Sequence, residues 1–219
     1  MKNFRRLAHE NSLLFILVLI FTGITTAFLF CYSRVDGFLL LNHFHFPVAD
    51  QFFFYYTSAG DGLFTFLVFI FLQFIKKNHT AWMVALAYAF SGIFSQLIKN
   101  LVHLPRPRTL LGHSSYPYFF DGITHVGFSS LPSGHTASAF AMACVLSFCL
   151  KAKWWAALFL PAAMLVGYSR IYLGQHFPVD VLAGALLGFL SSLLAYFAYG
   201  RFYSMLYKAA SGPDLQMLP

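Results

Sequence analysis

The chain has 219 residues, 59% of them hydrophobic and only 10% charged, with a mean hydropathy of +0.68. That composition is too apolar for an ordinary soluble domain and selects a membrane protein. The formal charge of +7 does not mark a nucleic-acid binder, because the basic residues stand in ones and twos between apolar runs and form no stripe.

Met1 to Asn11 is polar and basic, and an apolar run from Leu13 to Tyr32 follows it, long enough as a helix to cross about 30 Å of hydrocarbon. Its length and the absence of a small-residue cleavage site predict a retained span, not a removed signal. Pro47 to Tyr56 carries Asp50 and Gln51 beside five consecutive aromatic residues, the pattern of a helix lying at the membrane interface. Further apolar runs cover Gly62 to Ile75, Ala81 to Leu101, Ser133 to Leu150, Trp154 to Tyr172 and Val179 to Tyr199. The second run is short for a span, so its helix is expected either to start earlier, near Ser58, or to lean on its neighbours. These runs predict an all-α membrane protein, a six-helix transmembrane bundle with an interfacial helix before the second span. Residues 1–219 read as a single domain.

Lys and Arg are retained on the cytoplasmic side of short loops. With both termini cytoplasmic, Lys2, Arg5, Arg6, Lys76, Lys77, Lys151, Lys153, Arg201 and Lys208 fall inside, nine of the fourteen basic residues. Arg34, Lys99, Arg106, Arg108 and Arg170 are left at outer ends, where the rule disfavours them unless something needs them. The sequon Asn78-His79-Thr80 falls on the cytoplasmic side and reads as chance. Gly184 and Gly188 form a small-xxx-small pair that predicts close helix packing.

Cys31, Cys144 and Cys149 lie in or beside apolar runs and imply neither a disulfide nor a zinc framework. His43, His45, His113 and His125 have no Cys or carboxylate at a ligand spacing, so no metal is expected.

Polar residues recur where the outer ends of three hairpins are predicted. Lys99 ends the third span and Arg106-Pro107 follow it; Pro132-Ser133-Gly134-His135 open the fourth; Ser169-Arg170 close the fifth, and His176, Pro178 and Asp180 open the sixth. Singly, each has a plain reading: a snorkelling lysine, arginines meeting headgroups, an acid complementing a helix dipole. Together they supply three cations, two imidazoles, a carboxylate and a helix N-terminus, an inventory suited to phosphate. His176 and Asp180 are four apart on a helix start, so the carboxylate could hold the imidazole in one tautomer as a nucleophile. His135 would remain to protonate the leaving oxygen.

At these residues the chain resembles the type 2 phosphatidic acid phosphatase family, related to vanadium haloperoxidases and bacterial acid phosphatases. Lys99, six residues, Arg106-Pro107 match its first motif; Pro132 to His135 match the second; Ser169-Arg170, five residues, His176, three residues and Asp180 match the third, without departure. The resemblance covers about residues 99–180. It implies that His176 forms a phosphohistidine, Asp180 orients it and His135 is the general acid, while Lys99, Arg106, Ser133, Gly134 and Arg170 hold the phosphate oxygens. It also implies a lipid phosphatase acting at the extracytoplasmic face, with no cofactor; the aromatic-rich short loops suggest a bacterial cytoplasmic (inner) membrane, and the dispersed basic residues no nucleic-acid partner. Undecaprenyl diphosphate, phosphatidylglycerophosphate, phosphatidic acid and lipid A phosphates all satisfy the motifs, which read phosphate. Lipid phosphotransfer and non-catalytic lipid binding or transport are the alternatives. The outer loop from Arg108 to Leu131, with Tyr116, Tyr118, Phe119, Phe120 and Phe128, reads either as a headgroup-level surface or as a packed lid.

Overall fold

The computed structural model describes residues 2–150, 152 and 154–210. Lys151 and Lys153, two of the predicted cytoplasmic charges, lie outside the described residues, as do the side chains of Lys2, His113 and Lys208.

Among the described residues the regular structure is helical. Short α1 (Lys2–Glu10) leads into α2 (Ser12–Cys31), and α3 (Arg34–Leu41) follows after a tight break. Ser33 caps α3 by accepting from Asp36 N at 3.1 Å and donating to its carboxylate at 2.6 Å. Helix α4 (Pro47–Tyr56) begins with proline at its first position, where no N–H is needed. A 3-10 turn (Thr57–Gly60) joins it to α5 (Gly62–Phe74). Then come α6 (Asn78–Val102), α7 (Pro107–Ser115), α8 (Gly134–Cys149), α9 (Trp155–Tyr172) and α10 (Pro178–Ala210).

A helix occupies each predicted apolar run, and among the described residues three helices are long and apolar enough to cross a membrane: α2, α6 and α10. Helices α4 and α5 meet that test only as a pair bent by 60°. The expected early start of the second span near Ser58 is therefore corrected. The chain makes a 3-10 elbow there, and α5 proper starts at Gly62. The last helix also runs well past Tyr199, to Ala210.

Helix α8 stands at the centre, packed by α10, α9 and α6. Its sequence explains this, because Ala, Ser, Gly and Thr let neighbouring backbones approach closely, which is how helices associate without a hydrophobic drive between them. Gly184 and Gly188 of α10 lie against it as the small-residue spacing predicts: a Cβ on Gly184 would sit 2.6 Å from the Ser133 carbonyl, and one on Gly188 would overlap the Ala137 carbonyl. The outer helices turn large apolar side chains away from the protein, among them Leu19, Phe30, Leu63, Phe74 and Leu101. Such surface suits lipid, not water.

Candidate active site

The three motif segments meet at one end of the bundle because three separate helix ends converge there. Lys99 sits in the last turn of α6. Arg106 is the residue before α7, its extended backbone followed by Pro107 at the first helical position. Ser133 caps α8, accepting from Thr136 Oγ1 at 2.8 Å, and its own N–H donates to the Asp180 carbonyl at 3.0 Å. That last bond fixes the second motif to the third.

Helix α9 ends in a Schellman turn: Gly174 N donates to Ile171 O at 2.9 Å and Gln175 N to Arg170 O at 2.9 Å. The turn requires φ +65° at Gly174, the left-handed region that glycine adopts freely. It brings His176 N back to Arg170 O at 3.1 Å, so the imidazole and the arginine share one corner. Asp180 then occupies the third position of α10 and accepts from Phe177 N at 2.9 Å, half of a capping box.

Asp180 is fully buried and held from several sides. Its Oδ2 accepts from Ser130 Oγ at 2.5 Å, and its Oδ1 faces Arg34 Nη2 at 3.7 Å. His176 Nδ1 lies 3.5 Å from Asp180 Oδ2, so the two groups are in register but stand just outside hydrogen-bond contact. The sequence expectation that the carboxylate fixes the imidazole tautomer is met in placement only. A small rotation of either side chain would close the bond.

Arg106 and Arg170 are buried too, whereas Lys99 and Arg34 are half-buried. Arg106 donates to the Gln175 side chain at 3.0 Å, and Arg170 Nη1 to Thr57 Oγ1 at 2.6 Å. Arg34 stacks over the Phe177 ring at 4.0 Å and donates to the Pro105 carbonyl at 2.9 Å. Lys99, Arg106 and Arg170 lie within electrostatic reach of one another. Beside them, a Cβ on Gly134 would meet nothing but Lys99 Nζ at 3.7 Å, so the N-terminus of α8 opens onto free space. Arg34 Nε, Arg170 Nε, His176 Nδ1 and Asp180 Oδ1 are buried without a hydrogen-bond partner, four of the seven such side-chain atoms among the described residues. Cations gathered near an open helix N-terminus suit an anionic guest.

Burial pushes the His176 imidazole down to about 4; Asp180 opposes the shift, and Arg170 and Arg106 add to it. The ring is therefore neutral near pH 7 and carries a lone pair, as a nucleophile requires. Burial also lowers His125, with Arg106 and Arg170 adding to the effect, and it lowers Arg106 against the pull of Asp180.

All eight sequence-predicted site residues, Lys99, Arg106, Ser133, Gly134, His135, Arg170, His176 and Asp180, line this one region. The structure adds residues that sequence reasoning missed. Arg34, Ser130 and Phe177 N hold Asp180, Gln175 holds Arg106, and Thr57 and Asp61 reach in from the elbow before α5. Arg34 alone had a signal, as a cation misplaced by the positive-inside rule. Arg108 is bound instead to Asp121 at 2.6 Å and to the Thr124 carbonyl at 3.2 Å. His45, weighed as a metal ligand, binds Asp50 at 3.1 Å and Tyr116 at 2.8 Å and stacks on Tyr118.

The outer loop is split between its two readings. Tyr116 and Phe119 are buried against Phe38, Ile171 and Phe177 as a packed cover, whereas Tyr118 and Phe128 are exposed. Next to the elbow at Ser58 and Ala59, a cavity of about 890 Å³ runs along α8, lined by Phe52, Phe64, Ala139, Met142, Phe159 and Val166.

Comparison with known proteins bears on this geometry. The lipid A 4'-phosphatase of Bacteroides thetaiotaomicron is 32% identical over 75% of this chain and 77% of its own length. The lipid A 1-phosphatase of Rhizobium etli is 31% identical over 62% of this chain, and the matched part spans only 57% of that relative. The crystal structure of Aquifex aeolicus LpxE superposes with a TM-score of 0.64 at 35% identity, covering 73% of this chain and 92% of that one. The PAP2 superfamily profile matches residues 80–203, which include all three motif segments, and the chain belongs to the PAP2 superfamily.

Proposed function

We propose that this chain is a membrane-embedded lipid phosphatase that removes phosphate from a lipid phosphomonoester of the lipid A type through a phosphohistidine at His176. The gathering of Lys99, Arg106, Arg170 and the two imidazoles near the open N-terminus of α8 carries the reading, and the names of the two relatives support the substrate class. In this reading the chain crosses the bacterial cytoplasmic membrane six times with α4 at the interface. Both termini are cytoplasmic and the site lies at the extracytoplasmic face. The distribution of basic residues supports that orientation.

The phosphate enters the space beside Gly134, where Lys99, Arg106 and Arg170 take its oxygens with the N–H groups at the start of α8. The neutral His176 attacks phosphorus: a nitrogen–phosphorus bond forms, the bond to the lipid oxygen breaks, and His135 gives that oxygen its proton. Asp180 stabilises the resulting charge on the imidazole. Water then attacks phosphorus, its proton passes to His135, and phosphate leaves with His176 restored. The cations stabilise both transition states, so the reading gives no role to a metal. The apolar cavity beside the elbow accommodates the lipid's hydrocarbon part while its phosphate reacts.

The test is phosphate release by detergent-purified protein, with chelator present, from lipid A, undecaprenyl diphosphate, phosphatidylglycerophosphate and phosphatidic acid. Native protein is expected to release phosphate fastest from lipid A and to form an acid-labile, base-stable phosphoenzyme, both abolished by His176→Ala. Release unaffected by that substitution would sink the mechanism. Phosphate passed to a second lipid instead of to water would make the chain a phosphotransferase.

A further inference from the structure

Asp61 is the residue before α5, where an aspartate ordinarily accepts hydrogen bonds from the first free N–H groups of its helix. Here it makes no such cap. Its Oδ1 lies 2.6 Å from His135 Nε2 instead. The turn leading to it grips the motif helices at two further points. Thr57 Oγ1 accepts from Arg170 Nη1, and the Gly60 carbonyl accepts from Ser138 Oγ. Only glycine fits at position 60, since a Cβ would come within 2.8 Å of both the His135 carbonyl and Val166. The elbow, which lies outside all three motifs, is thus a fourth wall of the site.

The groups that face His135 are mostly positive: Arg170 from α9, His176 from the turn before α10, Lys99 from α6 and Arg106 from the segment after it. A general acid must hold a proton before substrate reacts, here with three cations close by. Asp61 is the carboxylate in contact with it. An imidazolium has two N–H groups, so one can stay with the carboxylate while the other is offered to the leaving oxygen.

We infer that Asp61 is the positioning residue that keeps His135 protonated and aimed for departure of the lipid oxygen, an inference that rests on the phosphatase reading above. As the phosphorus–oxygen bond breaks and the bond to His176 forms, the proton moves from His135 to the departing oxygen. The water that resolves the phosphohistidine returns a proton to His135, which Asp61 then holds for the next turnover.

The experiment compares Asp61→Asn, Asp61→Ser and Asp61→Glu in the full chain, using two substrates. One is lipid A, whose sugar oxygen leaves poorly without a proton; the other is an aryl phosphate, whose phenolate leaves readily. Asn and Ser should each lower kcat on lipid A by about 100-fold, the scale of general-acid catalysis, and on the aryl ester by only a few-fold. The alkaline limb of kcat/KM should move about one pH unit lower, and Glu should restore part of the rate. His135→Ala should show the same dependence on leaving group.

Serine caps a helix as well as aspartate does. A native rate on lipid A in Asp61→Ser would therefore overturn the inference in favour of a capping role. Equal losses on the two substrates, or an unmoved alkaline limb, would overturn it in favour of a merely structural one. A native chain that releases phosphate from neither substrate overturns the phosphatase reading itself, an outcome distinct from these.

Discussion

Gly184 of α10 faces the N-terminus of α8 at the level of the Ser133 carbonyl, one turn beyond Asp180. A methyl group placed there by Gly184→Ala would lie 2.6 Å from that oxygen and 3.1 Å from Thr136 Cβ. Ordinary contact begins at 3.4 Å, so the two helices must separate locally by about 0.8 Å, the difference between 3.4 and 2.6. Backbone, not a flexible side chain, has to move, and overpacking of this kind costs about 1–3 kcal/mol. The shift falls on the bond from Ser133 N to the Asp180 carbonyl, which joins the second and third motifs. A misplacement approaching 1 Å costs about 100-fold in rate when reacting groups must be aligned. Gly184→Ala is therefore expected to lower the unfolding temperature in detergent and to depress kcat far more than it raises KM, since the cations proposed to bind phosphate stand on other elements. Gly92→Ala is the control, because a Cβ there meets nothing within 4 Å. An alanine at 184 that leaves both unfolding temperature and kcat native would refute the argument that close α8–α10 contact sets the site.

The pH dependence follows from His176, whose imidazole is held down to about 4 against an ordinary value of about 6.5. In the proposed mechanism the neutral ring is the reactive form, so kcat/KM, which reports the free enzyme, should show a His176 limb only as pH approaches 4; a His176-dependent acid limb at 6.5 would contradict this. Between those values the unfolded chain binds the proton and the folded chain does not, so stability is lost as pH falls through that window. His176→Gln should flatten that slope in unfolding experiments. Ser130→Ala removes the 2.5 Å bond to Asp180 inside a fully buried pair and should cost about 1–3 kcal/mol, because it leaves a carboxylate oxygen short of a donor. Unfolding temperature and kcat should fall together, and a native value of either would contradict the assigned role.

Much of this protein could be read from its residues in order. Helix positions follow from apolar runs, because hydrocarbon tolerates few backbone arrangements other than helix. That the eight motif residues would come together was legible because each stands beside a helix end where the local pattern is plain. The tight approach of α10 to α8 was legible too, in the spacing of Gly184 and Gly188.

The elbow was not. Nothing local distinguishes Thr57, Gly60 and Asp61 from an ordinary helix start, and Asp61 looks like a conventional cap until its carboxylate is seen on His135. Arg34 stands 146 positions before Asp180 in the chain, yet faces it at 3.7 Å across the packed bundle. Sequence by itself determined which residue types and which helix ends were available, because those depend on local periodicity, charge and spacing. Tertiary structure alone decided which partners satisfy a buried charge, because that depends on how far apart helices pack and which turns bring distant segments to the same corner.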